Sequence, residues 1–146
     1  MEFNWINFFG LGIVSVMMIP NIFYAVKYPT AKNKCKNKII NAVEQIGRYG
    51  AFALMFFPLG VWKFKFFSAT DFLVYVFANV SLLLIYLLAW VFYFGKATLP
   101  KALVLAVVPC GIFFLSGVML KHWLLVAASL LFAVGHIYIT YKNNKN

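Results

Sequence analysis

Acidic side chains are almost missing from this chain. Only three of its 146 residues are Asp or Glu, and only 11% are charged at all, where an ordinary soluble domain carries about a quarter. The three acids, Glu2, Glu44 and Asp71, stand far apart in sequence and offer no ready pair for two-carboxylate or two-metal chemistry. Histidine and cysteine are equally scarce, at two each. Cys35 falls in a basic connecting segment and Cys110 within an apolar run, so neither a disulfide nor a metal site is expected from them. A nucleotide-binding glycine loop, an HExxH pattern and a nucleophile elbow are all missing too. The sequence therefore leads us to expect no metal and no cofactor.

What fills the chain instead is apolar: 64% of residues are hydrophobic and 20% aromatic. They collect in five runs, at 5–26, 39–62, 72–94, 102–120 and 123–141, each at or above the ~18 residues that mark a membrane-crossing helix. At about 1.5 Å of rise per residue these runs span roughly 28 to 36 Å, enough for a hydrocarbon core of about 30 Å with modest tilt. The fold class expected is all-α, a polytopic integral membrane bundle of five transmembrane helices forming a single domain over 1–146. What is left over is short connections. That leaves no room for a separate soluble catalytic or nucleic-acid-binding domain.

The net charge of +10 is distributed unevenly. Lys27, Lys32, Lys34, Lys36 and Lys38 crowd the first connection, Lys96 and Lys101 flank the third, and Lys142 and Lys145 lie in the tail; the alternate side has only Lys63, Lys65 and Lys121. Basic residues of short loops are retained in the cytosol, so the N-terminus is expected outside, the C-terminus inside, and 27–38 as a flexible, basic cytosolic loop. Trp5, Trp62 and Trp123 at the outer helix ends agree, because tryptophan favours the headgroup level. No basic segment precedes the first run and no small-residue cleavage site follows it, which reads as a retained span rather than a cleaved signal. The expected location is a membrane, most simply a bacterial cytoplasmic membrane. Ser68, Thr70 and Asp71 are good cap types for the third helix. Pro20, Pro58 and Pro109 fall where each would kink or open a helix.

Polar residues inside the runs follow helical spacing. Asn7, Gly10, Val14, Met17, Asn21, Tyr24 and Tyr28 share a face of the first run, and Asn41, Glu44, Arg48, Ala51, Met55, Pro58 and Trp62 a face of the second. Tyr75, Asn79, Tyr86, Trp90 and Tyr93 share one in the third, and Ser129, Ala133, His136 and Thr140 one in the fifth. In lipid such seams first of all pack helices. Glu44 and Arg48 ask for more. They stand four apart in the order that favours a helical ion pair, and from Tyr49 to Trp62 only roughly 21 Å of helix remains, too short to cross. The turn holding Arg48 is therefore expected within the bilayer, where a charge costs about 2.5–3.5 kcal/mol at the centre and less near the edge. Asn21, Glu44 and His136 each lie five residues from the inner end of their run, at a shared depth of about 7 to 8 Å.

These residues define the candidate ligand-binding set: Asn21, Glu44, Gln45, Arg48, Tyr75, Asn79, Tyr86, Trp90 and His136. In it Glu44 would take a proton or cation, Arg48 an anionic group, and His136 would relay protons near neutral pH. The leading expectation is a small membrane protein that binds or transports a hydrophobic or amphipathic small molecule, or an ion, through a polar and aromatic cavity near the cytosolic leaflet. A non-enzymatic accessory or assembly subunit is the alternative, and a small membrane enzyme using Glu44 and His136 as base and acid a third. Expected partners are membrane lipids, the small ligand, and either a second copy of the chain or another membrane protein; nucleic acid is not among them.

Overall fold

A computed structural model of the chain describes residues 6–29, 33–57, 66 and 68–144. Those residues form five α-helices and no strand: α1 (Phe8–Lys27), α2 (Lys38–Phe56), α3 (Ala69–Gly95), α4 (Leu99–Met119) and α5 (Trp123–Asn144). Local sequence sets their ends. The side-chain oxygens of Asn7, Asn37 and Ser68 accept hydrogen bonds from the free N–H groups of the first turns of α1, α2 and α3. Pro100 sits in the first turn of α4, where its missing donor is not needed. Between α4 and α5 the chain reverses within three residues. The His122 amide donates to the Gly117 carbonyl and the Lys121 amide to Val118, with Lys121 in the left-handed region at φ 55°. That is a Schellman ending with lysine where glycine is usual.

Pro20 and Pro109 lie inside α1 and α4 as expected. The second expected span, 39–62, is corrected. α2 stops at Phe56 and Phe57 is extended, because a residue followed by proline is forced out of the helical region and Pro58 comes next. Residues 58–65, including Pro58 and Trp62, lie outside the described residues, as does Trp5. α3 and α4 begin three residues earlier than expected, and α5 continues three further, so that Lys142 belongs to its last turn.

Helix contacts run α1 to α3, α3 to α4, α4 to α5, α5 to α2 and α2 back to α1, so the five helices close into a ring. The tightest seam joins α2 and α5. A methyl group added at Gly47 would meet the backbone of Phe132, and one at Gly135 would fall 2.6 Å from Cβ and 2.7 Å from Cα of Glu44. Small residues let the two backbones approach, which is how helices associate without hydrophobic exclusion to drive them.

The ring has an apolar core, with Met17, Leu54, Met55, Ile112, Phe113, Leu125 and Phe132 buried in it, and a few polar side chains are buried among them. Asn7, Glu44, Asn79, Ser116, His122 and Ser129 are buried, while Phe77, Leu84, Leu88, Val91, Leu131 and Val134 are exposed. So extensive an exposed apolar surface is what distinguishes the bundle from a water-soluble protein. α1, α3, α4 and α5 are each long and apolar enough to cross a membrane, and they fit an integral membrane protein. α2 has 19 residues and carries Lys38, Glu44 and Arg48, so its mean hydropathy is lower. Even so, its outward face is mainly apolar, with Ile39, Ile46 and Tyr49 exposed and Glu44 turned inward.

Candidate functional site

At the end of the ring where α1 finishes and α2 begins, the helices part around a cavity of about 650 Å³. Every helix contributes: Asn21 and Tyr24 from α1, Arg48 from α2, Tyr86, Trp90 and Tyr93 from α3, Leu105 from α4, and His136 and Thr140 from α5. Beneath it a smaller cavity of about 150 Å³ is walled by Met17, Met18, Phe52, Phe113 and Phe132. Four side chains line both spaces: Asn21, Arg48, Tyr86 and His136. They form the waist between a polar vestibule and an apolar inner chamber.

The waist is held from behind. Arg48 pairs with Glu44 one turn earlier on α2, and His136 Nδ1 stands 3.4 Å from Glu44 Oε1. Glu44 is 4% exposed, being covered by Gly135 at the α2–α5 seam, and it lines neither cavity. The Arg48 side chain is 37% exposed and the His136 side chain 23%. The imidazole stacks on Phe132 at 4.5 Å, which fixes its plane. Across the waist the Asn21 amide donates to the Tyr86 hydroxyl at 2.6 Å and to the Met17 carbonyl at 2.7 Å. One nitrogen thus ties α1 to α3. Trp90 forms the vestibule wall, 5.5 Å from the ring of Tyr24 and 5.6 Å from that of Tyr93.

The mouth is shaped by residues that sequence reasoning did not select. Asn33, Lys34, Asn143 and Asn144 line it. The Lys34 amide donates to Asn143 Oδ1 at 2.7 Å, the Tyr93 hydroxyl to Asn144 Oδ1 at 3.2 Å, and the Asn41 amide to the Cys35 carbonyl at 3.0 Å. The segment 33–37, expected to be a flexible loop, is therefore pinned to α2 and α5. Residues 30–32 lie outside the described residues. The signal for this pinning was weak: asparagines in a polar tail, beyond the expected end of the fifth run.

Of the nine candidate residues, Asn21, Glu44, Arg48, Tyr86, Trp90 and His136 come together at this end of the ring. Gln45 is exposed on the outer side of α2 and lines neither cavity. Tyr75 and Asn79 lie toward the opposite end of α3, in a second polar cluster. There the Asn7 amide donates to the Tyr75 hydroxyl at 3.1 Å, the Asn79 amide to the Tyr75 carbonyl at 2.9 Å, and the Ser116 hydroxyl to Asn79 Oδ1 at 3.1 Å. Among the described residues no three His, Cys, Asp or Glu side chains gather in a metal-binding group. Cys110 is buried with its thiol on the Ala106 carbonyl.

Fold and site together describe an all-helical bundle, of a kind that fits a membrane, with a charged and aromatic cavity opening at one end. No protein-family model matches the chain, and no match was found among curated proteins or solved structures.

Proposed function

We propose that this is a multi-pass membrane protein that binds or carries a hydrophobic or amphipathic small molecule, or an ion, in the cavity between its five helices. The observation that carries the reading is the waist. Arg48 and His136, two of the chain's few ionisable groups within apolar sequence, line a polar vestibule and an apolar chamber at once. Ionisable residues inside a bundle are expensive to hold there and, where they face a cavity, mark a pathway or a binding site.

In this reading α2 also crosses, making five spans, with its Glu44–Arg48 turn inside the membrane edge and its apolar side toward lipid. The cavity end faces the cytosol of a cell, most simply a bacterium, because Lys27, Lys34, Lys36, Lys38, Lys96, Lys101 and Lys142 belong to it, while among the described residues Lys121 is the lysine of the other. Orientation is checked with a membrane-impermeant maleimide in a background of Cys35→Ser and Cys110→Ser. Lys121→Cys should label in intact cells, and Lys36→Cys only after permeabilisation. The reverse pattern overturns the assignment.

A rival reading has its own observation. Glu44 is sealed under Gly135 and reaches His136 of α5, so this contact, with Arg48 beside it on α2, can serve to lock α2 against α5, as in an accessory subunit whose work is done by its outer surfaces. The two readings separate on Glu44→Gln and Arg48→Met. A binding protein keeps its fold in the variants but loses stabilisation by ligand. A packing pair shows only lowered stability, with no ligand effect to lose.

A further inference from the structure

The geometry points to an anion as the polar part of the ligand: a carboxylate or phosphate joined to an apolar or aromatic body, its charge on Arg48 and its body between the aromatic vestibule wall and the inner chamber. This inference rests on the binding reading above and names the ligand class for that same site.

Its basis is the charge seen from inside the cavities. Among the described residues that line the two spaces there is no Asp or Glu, whereas Arg48 lines both and Lys34 lines the mouth. The one carboxylate nearby, Glu44, lies out of the cavity and in contact with Arg48, so it orients the guanidinium and offsets part of its charge while leaving the cavity side unoccupied by an acid. A guanidinium has five donors in a planar fork, and a single carboxylate leaves part of that fork for a second acceptor. One further waist group suits an oxyanion: the Tyr86 hydroxyl accepts from the Asn21 amide, whose two hydrogens go to it and to the Met17 carbonyl, and so keeps its own hydrogen to donate.

The apolar half is equally marked. Trp90 and Tyr24, their rings inclined at 48°, make an aromatic wall on one side of the vestibule, and the chamber below is lined by Met18, Phe113 and Phe132. Methionine and phenylalanine adapt to varied apolar shapes. A cation of the same body would place its charge against Arg48, and a bare inorganic anion would leave the chamber unfilled. The chemistry is shared by a soluble amphipathic acid and by an anionic lipid whose headgroup reaches in from the inner leaflet.

The test uses the whole protein in phosphatidylcholine nanodiscs, with Trp5, Trp62 and Trp123 changed to Phe so that Trp90 alone reports. The probes are 1-naphthylacetate, its neutral amide, 1-naphthylethylamine as the cation, and inorganic phosphate. Naphthylacetate should quench or shift Trp90 emission and bind at least about tenfold more tightly than amide, amine or phosphate, the range one charge-assisted hydrogen bond supplies. Arg48→Lys should keep part of that preference. Glu44→Gln combined with Arg48→Met removes both charges, so that no carboxylate is left buried alone, and should abolish it. Equal binding of amide or amine and acid overturns the anion inference while leaving the binding site standing; binding of none of the organic probes overturns the site itself. Adding phosphatidylglycerol to the nanodiscs distinguishes the sources. Competition with naphthylacetate assigns the site to a lipid headgroup, and no competition to a soluble acid, and either outcome supports an anion.

Discussion

Two polar clusters occupy opposite ends of the same ring, and they differ in what their polar atoms do. Asn7, Tyr75, Asn79 and Ser116 are neutral, buried and bonded to one another, so their groups are spent on holding α1, α3 and α4 together. Asn21 bonds to Tyr86 and His136 approaches Glu44 across helices, but Arg48 pairs within α2, the set contains a charge, and all four face open space. In lipid an interhelical hydrogen bond is sufficient reason for a buried asparagine. It is not sufficient reason for an arginine half turned toward a cavity, which costs more and leaves donors over.

The comparison breaks most severely at the α2–α5 seam, where Gly135 covers Glu44. Gly135→Val would drive a side chain into the Glu44 backbone, and should cost about 3 kcal/mol or more in an unfolding titration while displacing Arg48 from the waist. A mild loss would mean that the seam gives way easily and that Glu44 is not held by it. At the other cluster the expected effects are smaller. Asn79→Leu removes the acceptor of the Ser116 hydroxyl and should lower stability by roughly 1 kcal/mol, with ligand binding at the far cavity unchanged. A matching loss of binding would merge the two clusters into one functional unit.

Two further changes calibrate the scale. Lys121→Gly should stabilise by about 0.5–1 kcal/mol, since glycine adopts the left-handed position that ends α4 without the strain a side chain brings, less the freedom it gains when unfolded. Gln45→Leu, on the exposed outer side of α2, should change neither stability nor binding by a measurable amount. A marked loss of binding in Gln45→Leu would place a functional surface outside the ring.

Much of this could be read from the residues, and the exceptions have definite causes. Apolar run length found all five helices, and depth counting from the inner ends correctly placed Asn21, Glu44 and His136 near one another. The same counting, applied to the third run, separates Tyr75 and Asn79 from Tyr86 by roughly 16 and 10 Å along the axis, so a shared stripe did not mean a shared site. Gln45 is one residue, about 100° of helix, from Glu44, and so faces another way. The early end of α2 was signalled by Pro58, which acts on the residue before it rather than bending the helix. The ordering of 33–37 depended on Asn41, a few residues further on, and on Asn143, more than a hundred residues away, a contact which no local pattern announces.

The claim that one cluster is a site and the other is packing is tested most directly by titrating 1-naphthylacetate into Glu44→Gln/Arg48→Met and into Tyr75→Phe, each made in the chain with Trp5, Trp62 and Trp123 changed to Phe and compared with that parent by Trp90 emission. The account predicts that binding is lost in the first and kept within about twofold in the second, whose only missing group is the hydroxyl that accepts from Asn7. Equal weakening in both variants, or full binding without Arg48, would contradict it.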